Sequence, residues 1–179
     1  MTLRAAVAAT AAAAGLVAAV AVATTAASAA PAAFTPKTLA GAWTGSWKNQ
    51  TFGSTGAAAL TVAATGDRLT FSFDLGGGVF GCTDPAGEST KPIGKGAGAN
   101  AWSAKGFTIQ GASKALGTVK IVYDDAKRSL LGTGSNPPCR AGLTWKIVGT
   151  FAATTFRGTV AIALPDGTKA TSVLSLKRG

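Results

Sequence analysis

Seven carboxylates are the leading acid–base candidates of this chain, because the sequence contains no histidine. Ser-His-Asp and Cys-His relays are therefore impossible. Zinc sites built on His or on several Cys are excluded with them. What remains is paired-carboxylate chemistry, which cleaves a glycosidic bond when two such groups face each other in a cleft. Asp67, Asp124, Asp125 and Asp166 all stand in turn-like sequence, where Asp bonds its own backbone. Asp84 precedes Pro85 and reads the same way. Asp74 lies on an alternating segment and is expected to point to solvent, opposite Phe71 and Phe73. Asp124 and Asp125 lack the ligand spacing of a calcium loop. Gly94-Lys95-Gly96-Ala97-Gly98 is followed by no helix that would aim N–H groups at a phosphate, so it reads as a loop. The expectation is a protein without catalytic residues, metal or cofactor.

Binding chemistry is the stronger signal. In Leu39-Ala40-Gly41-Ala42-Trp43-Thr44-Gly45-Ser46-Trp47 an extended backbone puts Trp43, Gly45 and Trp47 on one face. A glycine between two indoles leaves space for something to pack there. Each Trp then has two readings, a plug at the end of a core or part of the wall of a ligand cavity.

The elements that would carry these residues are strands. After residue 38 no amphipathic helical period is found; short alternating runs are separated by Gly, Asp and Pro. Leu60–Val62 and Leu69–Leu75 flank Thr65-Gly66-Asp67 and form a predicted hairpin. Thr118–Tyr123, Ser129–Leu131, Leu143–Ile147, Phe156–Leu164 and Thr171–Lys177 are further strands. Asp124–Arg128 and Pro165-Asp166-Gly167-Thr168 are their turns. Such spacing predicts an all-β fold, an antiparallel up-and-down meander barrel of about eight strands, with a β-sandwich as the alternative. A closed barrel also removes exposed strand edges.

Residues 1–29 read as a cleaved signal peptide: Arg4 precedes a run of Ala and Val that ends in Ala27-Ser28-Ala29. Residues 30–37 are a short leader, and 38–179 form a single β-barrel domain. Export implies an oxidising compartment, so Cys82 and Cys139, both in Gly/Pro-rich sequence, are expected to form a disulfide. Closing a loop of nearly sixty residues, it would contribute roughly 4 kcal/mol in the chain-entropy view. The protein is expected to be secreted, without stable membrane insertion once the signal is removed.

Gly-x-Trp at the start of the first strand of a meander resembles the calycins, the lipocalin and avidin barrels. Trp47-Lys48-Asn49-Gln50-Thr51-Phe52-Gly53-Ser54-Thr55 is similar to the first strand and turn of avidin and streptavidin, with one residue inserted. Trp145-Lys146 and Ala153-Thr154-Thr155-Phe156-Arg157-Gly158 resemble two further strands, whereas Val173 stands where that family tends to place a Trp. The resemblance implies a ligand site in which Asn49 and Ser54 bond a ureido group. Trp145 and Phe156 would form part of an aromatic box.

The reading that unites these features is a secreted, non-enzymatic barrel. It would bind a small apolar or amphipathic ligand in an aromatic-lined cavity formed by Trp43, Trp47, Asn49, Ser54, Trp145 and Phe156. The alternative is an extracellular protein-interaction module, a protease inhibitor or a cell-envelope binder, acting through disulfide-anchored loops at 76–100 and 132–142. The net charge of +10 suits anionic envelope polymers as partners. The basic residues are scattered rather than clustered, so no nucleic-acid partner is expected.

Overall fold

Along β9 (Thr144–Phe151) every second residue is buried, and the same alternation, less strict, runs through the other strands. Trp145, Ile147 and Phe151 point inward while Thr144, Lys146 and Val148 point out, as a pleat with one wet face requires. The computed structural model, which describes residues 34–81 and 89–179, closes these strands into a barrel. Their ranges are β1 (Gly41–Asn49), β2 (Thr55–Thr65), β3 (Arg68–Leu75), β4 (Ser89–Lys95), β5 (Ala101–Ser103) and β6 (Gly106–Ser113). β7 (Gly117–Asp124), β8 (Ser129–Ser135), β9, β10 (Thr155–Ala163) and β11 (Lys169–Arg178) complete the ring. Neighbours in sequence are neighbours in space, and β1 pairs with β11 to shut the sheet. The barrel therefore replaces the sandwich alternative.

The described residues hold eleven strands, not about eight. The additional ones are β4, β5 and β6. Pro92 interrupts the first, the second has three residues, and Gly106 and Gly111 dilute the third, so none carries a clean alternation. The meander also departs once from antiparallel order: β5 runs parallel to β4 through Gly94↔Ala101 and Lys95↔Trp102.

The expected turns form where they were placed. Gly66 (φ 56°) and Asp67 link β2 to β3, and Leu60 and Val62 face Phe73 and Phe71 across the hairpin. In the β10–β11 turn the Thr168 N–H donates to Asp166 Oδ1 at 2.9 Å, and Gly167 takes φ 85°. In the β7–β8 turn the Lys127 N–H donates to Asp124 Oδ1. These aspartates serve their own backbone, as the sequence suggests.

One end of the barrel is closed. The Phe34 ring packs against Trp102, Phe107 and Tyr123, and Trp43 meets Phe151 edge-on at 5.4 Å. A 3-10 turn, Pro36–Thr38, crosses beneath them. Arg178 at the end of β11 holds it there: the guanidinium donates to the carbonyls of Lys37, Thr38 and Ala40 and lies over the Trp43 ring, 5.4 Å from its centre. Phe34, assigned by sequence to the leader, is thus part of the core. The predicted signal segment 1–29 lies outside the described residues. No described helix is long and apolar enough to cross a membrane.

Candidate functional site

Among the described residues, the opposite end is not filled. A cavity of about 650 Å³ runs down the barrel, within the range of small-molecule sites, which are roughly 300–1,000 Å³. Its depth is apolar, with Leu60, Val62, Ile109, Val119 and Ile147 in the wall. Its polar residues include Asn49, Ser54, Thr168 and Ser172, which belong to the β1–β2 and β10–β11 ends. Asn49 and Ser172 are cross-strand partners and both are buried.

Two indoles lie flat on the wall, and glycines make that possible. Trp47 faces Gly56 across β1–β2, and Trp145 faces Gly134 across β8–β9. A Cβ at Gly134 would sit 2.3 Å from Cε2 of Trp145, and one at Gly56 would sit 2.5 Å from Nε1 of Trp47. Gly134 could not carry any larger side chain without lifting the ring into the lumen, while at Gly56 a Cβ would also meet the Gly76 carbonyl at 1.9 Å. Each indole is also tied at its edge: Trp47 Nε1–H donates to the Gly76 carbonyl at 2.9 Å and Trp145 Nε1–H to the Leu116 carbonyl at 3.0 Å. Phe156 follows the same pattern, with its ring against Gly149 and 4.5 Å from Phe151.

Of the six ligand residues expected from sequence, Trp47, Asn49, Ser54, Trp145 and Phe156 line this one cavity. Trp43 does not. It is 1% exposed, its Nε1–H bonds the Leu39 carbonyl, and it plugs the closed end. Gly45 is exposed but could carry no side chain: a Cβ there would fall 2.0 Å from the Ser175 carbonyl of the neighbouring β11. Asn49 Oδ1 accepts the N–H groups of Thr51 and Phe52, each at 2.9 Å, so this oxygen is engaged by its own turn.

Sequence reasoning missed four contributors. Lys91 and Arg140 bring positive charge to the cavity, and Val79 and Phe80 cap part of its wall from a 3-10 turn after β3. Lys91 was hidden by the weak pattern of β4. The inward face of β3, Phe71 and Phe73, could have exposed it once the two strands were paired. The guanidinium of Arg140 lies against Gly81. The backbone and hydroxyl of Thr168, with a smaller contribution from Arg140, hold the Asp166 carboxyl below the ordinary carboxylate range.

The remaining described carboxylates do not converge on the cavity. Asp67, Asp124 and Asp125 belong to turns at the closed end, and Asp74 is exposed on β3. No cluster of three metal-ligating side chains exists among the described residues. Cys139 is not a free thiol; Cys82, its expected partner, lies outside the described residues.

Fold and cavity together define an all-β closed barrel with an aromatic-lined lumen. No protein-family model and no curated protein matches the chain. Among solved structures it is similar to a protein of unknown function from the DUF3598 family of Nostoc punctiforme, with a TM-score of 0.51 and 9% identity. The match covers 83% of this chain and 50% of that one, so the chain spans half the length of the protein it resembles. At that identity the likeness is one of fold.

Proposed function

We propose that this protein is a secreted, non-enzymatic binder of a small apolar or amphipathic molecule held inside a calycin-type barrel. The observation that carries the reading is the lumen of about 650 Å³ with two indoles tied flat to its wall. A protein interior is normally packed with few voids larger than a water molecule. Here three inward glycines, Gly56, Gly134 and Gly149, draw the aromatic rings onto the sheet rather than into the space. An apolar depth beneath polar residues suits a ligand with one apolar and one polar end.

The avidin-like version, with Asn49 and Ser54 on a ureido group, has less support because Asn49 Oδ1 is already engaged. Export through residues 1–29 and a Cys82–Cys139 bridge are part of the proposal. The intact mass of the mature protein tests both. It should correspond to cleavage near residue 29 and rise by two hydrogens on reduction; a full-length or unchanged mass would refute the respective part.

The binding test is a titration of intrinsic tryptophan fluorescence with N-phenyl-1-naphthylamine, dodecanoic acid and biotin. A saturable change with at least one probe is expected, reduced in Trp145→Phe. A flat response to all three would remove this reading. It would favour an interaction module acting through the 76–100 and 132–142 loops on secreted proteases or anionic envelope polymers.

A further inference from the structure

Charge in the cavity is unevenly compensated. At the rim, the Asp166 carboxyl is held below its ordinary range first by the backbone and hydroxyl of Thr168 and only to a smaller extent by the exposed Arg140. Among the described residues Lys91 has no ion-pair partner: the two pairs are Lys95–Asp67 and Lys127–Asp124. Lys91 is the cross-strand partner of buried Phe71, so its side chain shares the inward face of the sheet. It is half-buried and lines the cavity.

Its position follows from a seam in the wall. β5 joins β4 only through Gly94 and Lys95, and no ladder links residues 89–93 to β6. The Lys91 amine lies across this seam against Gly111 of β6, where a Cβ would come within 2.9 Å of Nζ. Gly111 begins a rung that continues through Val119 and Gly134 to Trp145. The cation and the flat indole therefore stand on one rung of the barrel, inside an otherwise apolar wall. A half-buried ammonium with no ion-pair partner among the described residues leaves strong donors for an anion to meet.

We infer that the cavity takes an amphipathic organic anion, with its acidic group on Lys91 at the β4–β6 seam and its apolar body along Trp145. This deepens the proposed function and rests on it. The test uses two fluorescent probes that share one arene skeleton, 1-anilinonaphthalene-8-sulfonate and the uncharged N-phenyl-1-naphthylamine. They are titrated into the mature wild-type protein, Lys91→Met, and Lys120→Met as a control for outer-face charge. Lys91→Met keeps the length and apolar stem of the side chain, and circular dichroism verifies its fold.

The sulfonate probe should bind Lys91→Met about tenfold more weakly than wild type, the scale of one charge-assisted contact. The uncharged probe should change by less than about twofold, and Lys120→Met should affect neither. Loss of sulfonate binding confined to Lys91→Met supports the inference. Equal weakening of both probes, or sulfonate binding indifferent to Lys91, overturns it while leaving the cavity reading intact. Failure of both probes to bind the wild type overturns the cavity reading and this inference with it.

Discussion

Gly134→Ala is a one-carbon perturbation whose cost can be worked from the geometry. The new Cβ would lie 2.3, 2.4 and 2.5 Å from Cε2, Cζ2 and Nε1 of Trp145. Ordinary carbon contacts are about 3.5–4.0 Å, so the indole must move by an ångström or more. The strand backs the other side, leaving only the lumen to move into. Leaving the wall stretches the 3.0 Å bond from Nε1–H to the Leu116 carbonyl, worth about 1 kcal/mol. Overpacking adds about 1–3 kcal/mol. Gly134 has ordinary extended backbone, so Ala there also returns about 0.4–1 kcal/mol through the unfolded chain. The net expectation is a destabilisation of about 1–3.5 kcal/mol in urea unfolding, together with weaker binding of N-phenyl-1-naphthylamine as the ring enters the lumen. The cause is isolated by repeating the substitution in a Trp145→Leu background, where its cost should largely vanish. A neutral or stabilising Gly134→Ala in the wild type, or the same cost in both backgrounds, would refute the argument that glycine is there to seat the indole.

At the closed end, Arg178→Met removes the guanidinium that bonds three carbonyls and covers Trp43. A loss of about 2–3 kcal/mol in urea unfolding is expected, with cavity probe affinity unchanged; a shift in affinity without a loss of stability would contradict the separation of plug and cavity. Tyr123 is the one tyrosine of the chain. Burial, followed by its hydrogen bond to Asp125, pushes its phenol well above the ordinary range. Its native proton is therefore retained where an unfolded chain releases it, near pH 10. The stabilisation is complete below that pH and is lost as pH rises toward the folded value. Absorbance at 295 nm should show tyrosinate forming at higher pH in the native protein than in guanidinium; coincident titrations would refute the burial argument.

The parts of the fold that were legible in sequence are those where pattern and turn chemistry agree. β3 alternates Leu69, Phe71, Phe73 and Leu75 after a Gly66-Asp67 turn, and β10–β11 flank Pro165-Asp166-Gly167. Five of the six residues expected at a site line one cavity: Trp47 follows from strand alternation, whereas Asn49, Ser54, Trp145 and Phe156 came from the avidin-like resemblance. Trp43 was misplaced because an alternation fixes a face and not a depth: Trp43 and Trp47 point the same way, yet one meets the Arg178 plug and the other the open lumen. The need for glycine at position 45 was hidden for a related reason, since only the partner strand reveals the Ser175 carbonyl that excludes a Cβ there. The glycines under Trp145 and Phe156 were invisible as site residues because their role exists only across a ladder.

The region that escaped reading, residues 89–113, is also where the architecture needs a defect. Each hairpin reverses direction, so neighbours around a closed ring can all be antiparallel only if their number is even. With eleven strands one parallel junction is unavoidable, and it falls between β4 and β5. The junction is held at the closed end: Trp102 Nε1–H and the Lys95 N–H both donate to the Asp67 carbonyl, and the Lys95 ammonium pairs with the Asp67 carboxylate at 3.7 Å. Beyond that staple β4 turns away from β6 and the ladder lapses. Pro92, which has no N–H to offer, is tolerated beside such a lapse and would be costly in a fully paired strand. The same lapse gives a long cationic side chain a place in the wall, because Lys91 can lie over Gly111 where a regular ladder would demand an apolar partner. The weak β pattern, the parallel junction and the half-buried lysine thus fall together at one place in the wall, of which strand parity requires the junction.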